Sequence, residues 1–321
     1  MNKFILYVFA LVFLIMSGCS GEENIKGKSN SNHLTIGFSQ IGAESSWRTA
    51  ETESIRSEAK KRNHTLKFSD AQQKQENQIK ALNAFIAQNV DAIILAPVVE
   101  TGWEPVLRNA KKRNIPVILV DRGVIVADDS LYTTLIATDF VNEGRLAGEW
   151  IIKNIGTQAN IVELEGTPGS SAAIDRQKGF MQAISSYPKL KVTQSQTGEF
   201  TRAKGKEVME AFLKSSKDKI DVVFAHNDDM ALGAIQAIEE AGYKPGVDIK
   251  LVSVDGVLGA FQAMVAGKLN CTVECNPLLG DVAFDAVERA VSGKKVEKRI
   301  VIEDRVFDQS VAKDVIESRK Y

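Results

Sequence analysis

The chain has 321 residues, 44% hydrophobic and 25% charged. It is too long for one ordinary small domain, and it is apolar enough to build the packed cores of two medium-sized lobes. Its 40 basic and 41 acidic residues leave a net charge of −1, which excludes an electrostatic case for nucleic acid as partner.

Residues 1–18 read as a lipoprotein signal peptide. Lys3 gives a short positive start, Phe4 to Met16 is an almost unbroken apolar run, and Ser17-Gly18-Cys19 follows. A run of 13 residues is short for a bilayer span and suits the core of an export signal. Small residues directly before Cys resemble a bacterial lipobox, with Met16 where Leu is usual. That resemblance implies cleavage before Cys19 and a diacylglycerol on its sulfur. The chain is then exported and held by acyl chains at the cell membrane, in a periplasm or on the outer face of the cytoplasmic membrane. An ordinary secretory signal with an incidental Cys is the alternative. Residues 19–33 read as lipid anchor and flexible tether, with Ile25 the one apolar residue between Ser20 and Ser31.

From Leu34 onward, short apolar runs alternate with amphipathic stretches. Strands are expected at 34–39, 65–69, 91–96 and 116–120. Helices are expected at 47–62, 74–89 and 103–113, the last with Thr101 as its cap. Ile79, Leu82, Phe85 and Ile86 carry the helical spacing of the second. The pattern begins again after about residue 138. Helices are expected at 142–154, 172–185, 202–215, 230–241, 259–266 and 280–292, with strands at 160–165, 191–196, 221–225, 249–255 and 270–274. Buried runs between helices indicate parallel sheets covered on both faces. The fold class is therefore α/β, with two doubly wound parallel-sheet lobes. Cys271 and Cys275 stand roughly 13 Å apart along an extended segment, too far to bridge, and read as buried unbridged thiols.

Polar residues gather where strands end: Ser39-Gln40, Asp121-Arg122, His226-Asn227-Asp228-Asp229 and Asp255-Gly256. In open α/β sheets ligands bind outside those carboxyl ends. The residue types suit a sugar. Asp121, Asp255 and Glu44 accept hydroxyl protons, Arg48, Arg122 and Arg176 donate, Asn227 does both, and Trp47 offers a flat face for ring C–H groups. Each has a plainer reading: Trp47 as a core anchor, Arg176 as a surface partner of Asp175 or Asp139, Asp255 as a turn residue, Asn227 as a helix cap.

These residues resemble the periplasmic sugar-binding family that includes ribose- and galactose-binding proteins, over Leu34 to about Glu317. The likeness rests on Gly37-Phe38-Ser39-Gln40, Val120-Asp121-Arg122, Asp175 to Phe180, Ala225 to Met230 and Val254-Asp255-Gly256. Ser39 to Gly42, Glu44-Ser45, Trp47-Arg48, Gln72 to Lys80, Ala96 to Val99 and Thr101 to Leu107 are similar to the galactofuranose-binding branch. Trp47-Arg48 stands where pyranose-binding relatives usually carry stacking aromatics.

The resemblance implies a type I periplasmic binding protein fold with a three-crossing hinge near 137–138, 275–276 and 304–305. The lobes would then be 34–137 plus 276–304 and 138–275 plus 305–321. It implies capture of galactofuranose or a related furanose or hexose by hinge closure, and delivery to the permease of an ABC importer. The implied site comprises Glu44, Ser45, Ser46, Trp47, Arg48, Asp121 and Arg122 from one lobe and Arg176, Asn227 and Asp255 from the other. Asn276 stands in for a family Gln that falls at Cys275. No cofactor or metal is implied, and the protein is expected to act as a monomer.

Catalysis has little footing. The chain has three His (His33, His64 and His226), of which His226 by the cleft is a conceivable base, but no nucleophile elbow, Walker loop or metal motif. A transcription regulator of this fold needs a helix-turn-helix where the signal and tether stand. A sugar sensor docking on a chemoreceptor or sensor kinase uses the same cleft and is the alternative to transport.

Overall fold

The computed structural model describes residues 33–321. The expected signal peptide, Cys19 and the tether to residue 32 lie outside those residues. The first lobe runs β1 (Thr35–Gln40), α1 (Ser46–Lys61), β2 (Thr65–Asp70), α2 (Gln75–Ala87), β3 (Ala92–Leu95), α3 (Glu104–Lys112), β4 (Val117–Val120) and β5 (Thr134–Ala137). The chain crosses over and runs α4 (Phe140–Asn154), β6 (Gln158–Glu165), α5 (Ser171–Ile184), β7 (Lys189–Thr197), α6 (Arg202–Ser215), β8 (Val222–Ala225), α7 (Asp228–Glu240), β9 (Lys250–Asp255), α8 (Leu258–Val265) and β10 (Cys271–Glu274). It returns for α9 (Gly280–Val291) and β11 (Arg299–Val301), then crosses once more into β12 (Val306–Asp308) and α10 (Gln309–Val315).

One sheet has the order β2-β1-β3-β4-β5-β11 and the other β7-β6-β8-β9-β10-β12. The two lobes thus repeat one doubly wound order, and each takes its sixth strand after a recrossing. The first sheet is parallel throughout. In the second, β12 runs antiparallel to β10, an edge strand that reverses directly out of the third crossing.

The strands alternate between two buried faces, as period-2 geometry requires. Ile94, Ile118 and Val120 join Ile55, Phe284 and Val287 on one side of the first sheet. Ile93, Leu95, Val117 and Leu119 join Leu82, Phe85, Trp103 and Leu107 on the other. Burying each such side chain contributes about 1.5–3 kcal/mol, so the sheets are rigid platforms for the loops at their ends. Helix starts carry local caps: Ser45 accepts from the Arg48 N–H, Asp139 from Asn142, Ser170 from Ala173, Thr201 from Lys204 and Asn227 from Met230.

The expected cap at Thr101 is corrected. The N-cap of α3 is Trp103, without a side-chain cap bond, and Pro105 in the first turn removes one of the N–H groups that a cap would serve. Thr101 instead offers its carbonyl to Gln75 Nε2 at 2.6 Å. Cys271 and Cys275 are free and buried, as read from their spacing. No described helix is long and apolar enough to cross a membrane.

Candidate ligand-binding site

A small polar hollow opens where the carboxyl ends of the two sheets converge. Glu44, Ser45, Trp47, Arg48, Asp121 and Arg122 line it from the first lobe, and Ala172, Arg176, Phe200, Asn227 and Asp255 from the second, with Cys275 on the second crossing.

The first wall is organised by Arg48, on the first turn of α1. Its Nε donates to Glu44 Oε1 at 3.0 Å, Nη1 to Glu51 Oε2 at 2.5 Å and Nη2 to Asp121 Oδ2 at 2.7 Å. Burial opposes the Arg48 charge, but Asp121, Glu51 and Glu44 outweigh it and hold the guanidinium ionised. Asp121 leaves β4 with φ at 61°, a left-handed conformation that turns its carboxylate toward Arg48. Burial, with Arg48 beside it, lowers the Arg122 guanidinium to about 10, still charged at neutral pH. Within the protein Arg122 donates from Nη1 to the Val98 carbonyl at 3.1 Å, and its Nε lies 3.5 Å from Asp121 Oδ2 without a hydrogen bond.

The second wall depends on two glycines. A Cβ on Gly144 of α4 would sit 2.0 Å from the Arg176 carbonyl, and one on Gly179 of α5 would sit 1.9 Å from that of Val141. The two helices therefore touch backbone to backbone, and Glu143 reaches Arg176 Nε at 2.6 Å. Arg176 Nη1 donates to the His226 carbonyl at 2.6 Å, and Nη2 lies 3.8 Å from Asp255 Oδ1. Asn227 caps α7 and also donates from Nδ2 to the Phe200 carbonyl at 3.1 Å. Phe200 sits at φ 61° with its ring against Arg122 at 5.0 Å and Arg176 at 5.9 Å. A Cβ on Gly166 would lie 1.9 Å from that ring, so glycine there leaves the ring its place.

Asp255 ends β9 at φ 128°. The turn behind it is held by Asp228, whose carboxylate accepts from the Gly256 and Val257 N–H groups and the Ser253 and Thr272 hydroxyls. Burial raises the Asp255 pKa well above the usual carboxylate range, against the pull of Arg176. Its Oδ2, like Glu44 Oε2, has no partner among the protein's own groups. Glu44 and Asp255, one from each lobe, thus each bring to the hollow a buried carboxylate with one oxygen lacking a hydrogen-bond donor.

Trp47 contributes its edge as well as its ring. Nε1 donates to the Cys275 carbonyl at 2.6 Å, and the Arg48 guanidinium lies 4.8 Å from the ring centre. The crossings meet here too: Thr138 Oγ1 donates to Glu143 at 2.6 Å and lies 3.4 Å from Cys275 Sγ.

Nine of the expected residues meet at this hollow: Glu44, Ser45, Trp47, Arg48, Asp121, Arg122, Arg176, Asn227 and Asp255. Ser46 does not line it and is exposed at the start of α1. Asn276 does not line it either, because its Oδ1 accepts from the Leu278 N–H to form the next turn, and Cys275 stands at the wall instead. Arg176 pairs with Glu143 rather than with Asp175 or Asp139. His226 is not placed as a base: its ring is fully buried behind the wall, between the Gly166 N–H and Glu163. Phe200, Ala172 and the supporting Glu51 and Glu143 were not anticipated, and Asp228, noted among the polar strand ends, holds the turn behind Asp255. Among the described residues no group of three or more potential metal ligands gathers.

Residues 36–295 match the family model described as periplasmic binding protein domain. The galactofuranose-binding protein of Escherichia coli (strain K12) is 52% identical over 291 residues, covering 89% of this chain and 92% of that protein. The binding component of the arabinose ABC transporter from Shewanella sp. ANA-3, solved with α- and β-L-arabinofuranose, superposes with a TM-score of 0.87 at 56% identity, over 89% of this chain and 95% of that one. A Mycobacterium smegmatis protein solved with β-D-fucofuranose gives a TM-score of 0.88 at 52% identity, over 90% and 95%.

Proposed function

The chain belongs to the periplasmic binding protein family, and from that premise we propose that it closes on one monosaccharide in its furanose form and delivers it to the permease of an ABC importer. It is an extracytoplasmic sugar-binding protein, and its task is capture and release rather than catalysis. The observation that carries the sugar reading is the pair of carboxylate oxygens without a hydrogen-bond donor, Glu44 Oε2 and Asp255 Oδ2, on residues that line one small hollow from opposite lobes. A polyol ring that donates one hydroxyl to each joins the two lobes, and Arg122 Nε donates back to a ring or hydroxyl oxygen. The three relatives described above bind galactofuranose, arabinofuranose and fucofuranose, so the shared feature is the five-membered ring, not one epimer.

The test is thermal shift and calorimetry with L-arabinose, D-galactose and D-fucose, each of which holds a small furanose fraction in water, against methyl β-D-galactopyranoside, which is locked as a pyranose. The free sugars should raise the melting temperature with concentration and the locked glycoside should not. Tight binding of the locked pyranoside, or no shift with any sugar, overturns the reading.

Asp121→Ala and Arg122→Ala should each weaken sugar affinity at least tenfold, with the fold intact, because a charged hydrogen bond in a dry site is costly to leave half made. Unchanged calorimetric affinity in either variant would remove that residue from the site. The Ser17-Gly18-Cys19 motif supports a lipid anchor on Cys19. Cys19→Ala should move the protein from the membrane pellet to the soluble fraction, and a variant still pelleting with membranes would reject the anchor.

A further inference from the structure

The lobes also touch away from the hollow. Asp229, second residue of α7 in the second lobe, splits its carboxylate between them. Its Oδ1 accepts from Arg202 Nε at 3.1 Å and Nη2 at 2.8 Å, both within its own lobe. Its Oδ2 accepts from the backbone N–H of Ser46 at 2.7 Å, the first residue of α1 in the opposite lobe. Asp229 is 5% exposed, and neither it nor Ser46 lines the hollow. The first N–H groups of a helix have no partner within it and carry the positive end of its dipole. A carboxylate fixed by an arginine is a suitable partner for one of them. The neighbouring α1 residues Trp47 and Arg48 belong to the ligand wall, so this bond pins the same helix start that presents them.

We propose that Asp229 is a closure latch, a positioning residue that sets sugar affinity by holding α1 against the second lobe without touching the sugar. Other bridges share this interface: the Gly123 N–H to Ser171 Oγ at 3.1 Å, the Glu100 N–H to the Gly169 carbonyl at 3.0 Å and, at the second crossing, Trp47 Nε1 to the Cys275 carbonyl at 2.6 Å. All use neutral acceptors, and Asp229 supplies the bond in which an ionised group of one lobe takes a helix-terminal N–H of the other. Opening the hinge must break it, so its contribution falls on the dissociation rate. The latch rests on the sugar-binding reading for its consequence, but its geometry does not depend on which sugar binds.

Two variants remove it from opposite sides. Asp229→Ala deletes the acceptor. Ser46→Pro deletes the donor, at a helix position where proline is well accepted and after a residue, Ser45, already extended at φ −142° and ψ 163°. Each should weaken affinity for L-arabinose or D-galactose about tenfold, the scale of one hydrogen bond to a charged group. Stopped-flow fluorescence should place the loss in dissociation, with association unchanged. Asp229→Asn keeps an oxygen acceptor and should lose less than Asp229→Ala. Small-angle scattering of the sugar-free proteins should show a larger radius of gyration for Ser46→Pro than for the parent. Unchanged dissociation in both variants, or a loss confined to association, overturns the latch. If the parent protein bound none of the sugars, the functional reading would fail by itself. Scattering would then decide the latch, and identical profiles for the parent and Ser46→Pro would sink it.

Discussion

Arg176→Met should abolish measurable sugar binding and cost about 3–5 kcal/mol of stability, the usual scale for breaking a buried ion pair from one side. Arg176 is 3% exposed and spends Nε on Glu143 and Nη1 on the His226 carbonyl, while Nη2 faces Asp255. A methionine fills similar volume but leaves the Glu143 carboxylate buried without its cation and a carbonyl without its donor. Asp255 also loses the one charge that opposes its burial, so its carboxyl holds a proton more tightly and accepts a sugar hydroxyl less well. The structural and ligand roles separate in the double variant Glu143→Gln/Arg176→Met. Removing the stranded carboxylate should recover a good part of the melting temperature and none of the affinity. Parent-like affinity in the single variant, or binding regained in the double, would show that Arg176 holds up the wall without meeting the sugar.

The strand ends were legible because their chemistry is local. An apolar run that stops at Asp121-Arg122 or at Asp255-Gly256 points those groups at the carboxyl edge whatever the rest of the chain does. Two short edge strands were not legible: β11 and β12 have three residues each, too few to establish a period. Glu143 carried no signal of its own within the helix expected at 142–154. Its burial follows from the contact of α4 with α5, and the available signal was the glycines inside those two helices, Gly144 and Gly179, which lower helix propensity unless a close approach repays them. Phe200 had no signal at all. It lies in a loop between β7 and α6, and its role comes from a left-handed backbone and from Asn227, 27 residues away. Asn276 was chosen over Cys275 by residue type, and the backbone decided otherwise: Asn276 is consumed by its own turn.

Arg48→Met should unfold readily at pH 8 and recover most of its stability at pH 5. Arg48 is the cation shared by Glu44, Glu51 and Asp121, all of them buried around it. Even with Arg48 present, burial pushes Glu51 from 4.5 to about 7, the pull of Arg48 notwithstanding, and its Oε1 has no donor. A carboxyl whose pKa is higher folded than unfolded binds its proton more tightly in the native state. The stability this supplies is complete below about 4.5 and is lost as pH rises through about 7. Without the guanidinium Glu51 loses the attraction that opposes its burial, so its pKa rises further and the slope of stability against pH steepens in the same direction. At pH 8 the cost is that of uncompensated buried charge, about 3–5 kcal/mol. At pH 5 Glu51 holds its proton and the cost falls toward that of lost hydrogen bonds, about 1–3 kcal/mol. Urea unfolding of parent and variant at the two pH values measures the difference. A loss of equal size at both would mean that the three carboxylates are not held by Arg48, and that the first wall of the site is organised by packing rather than by charge.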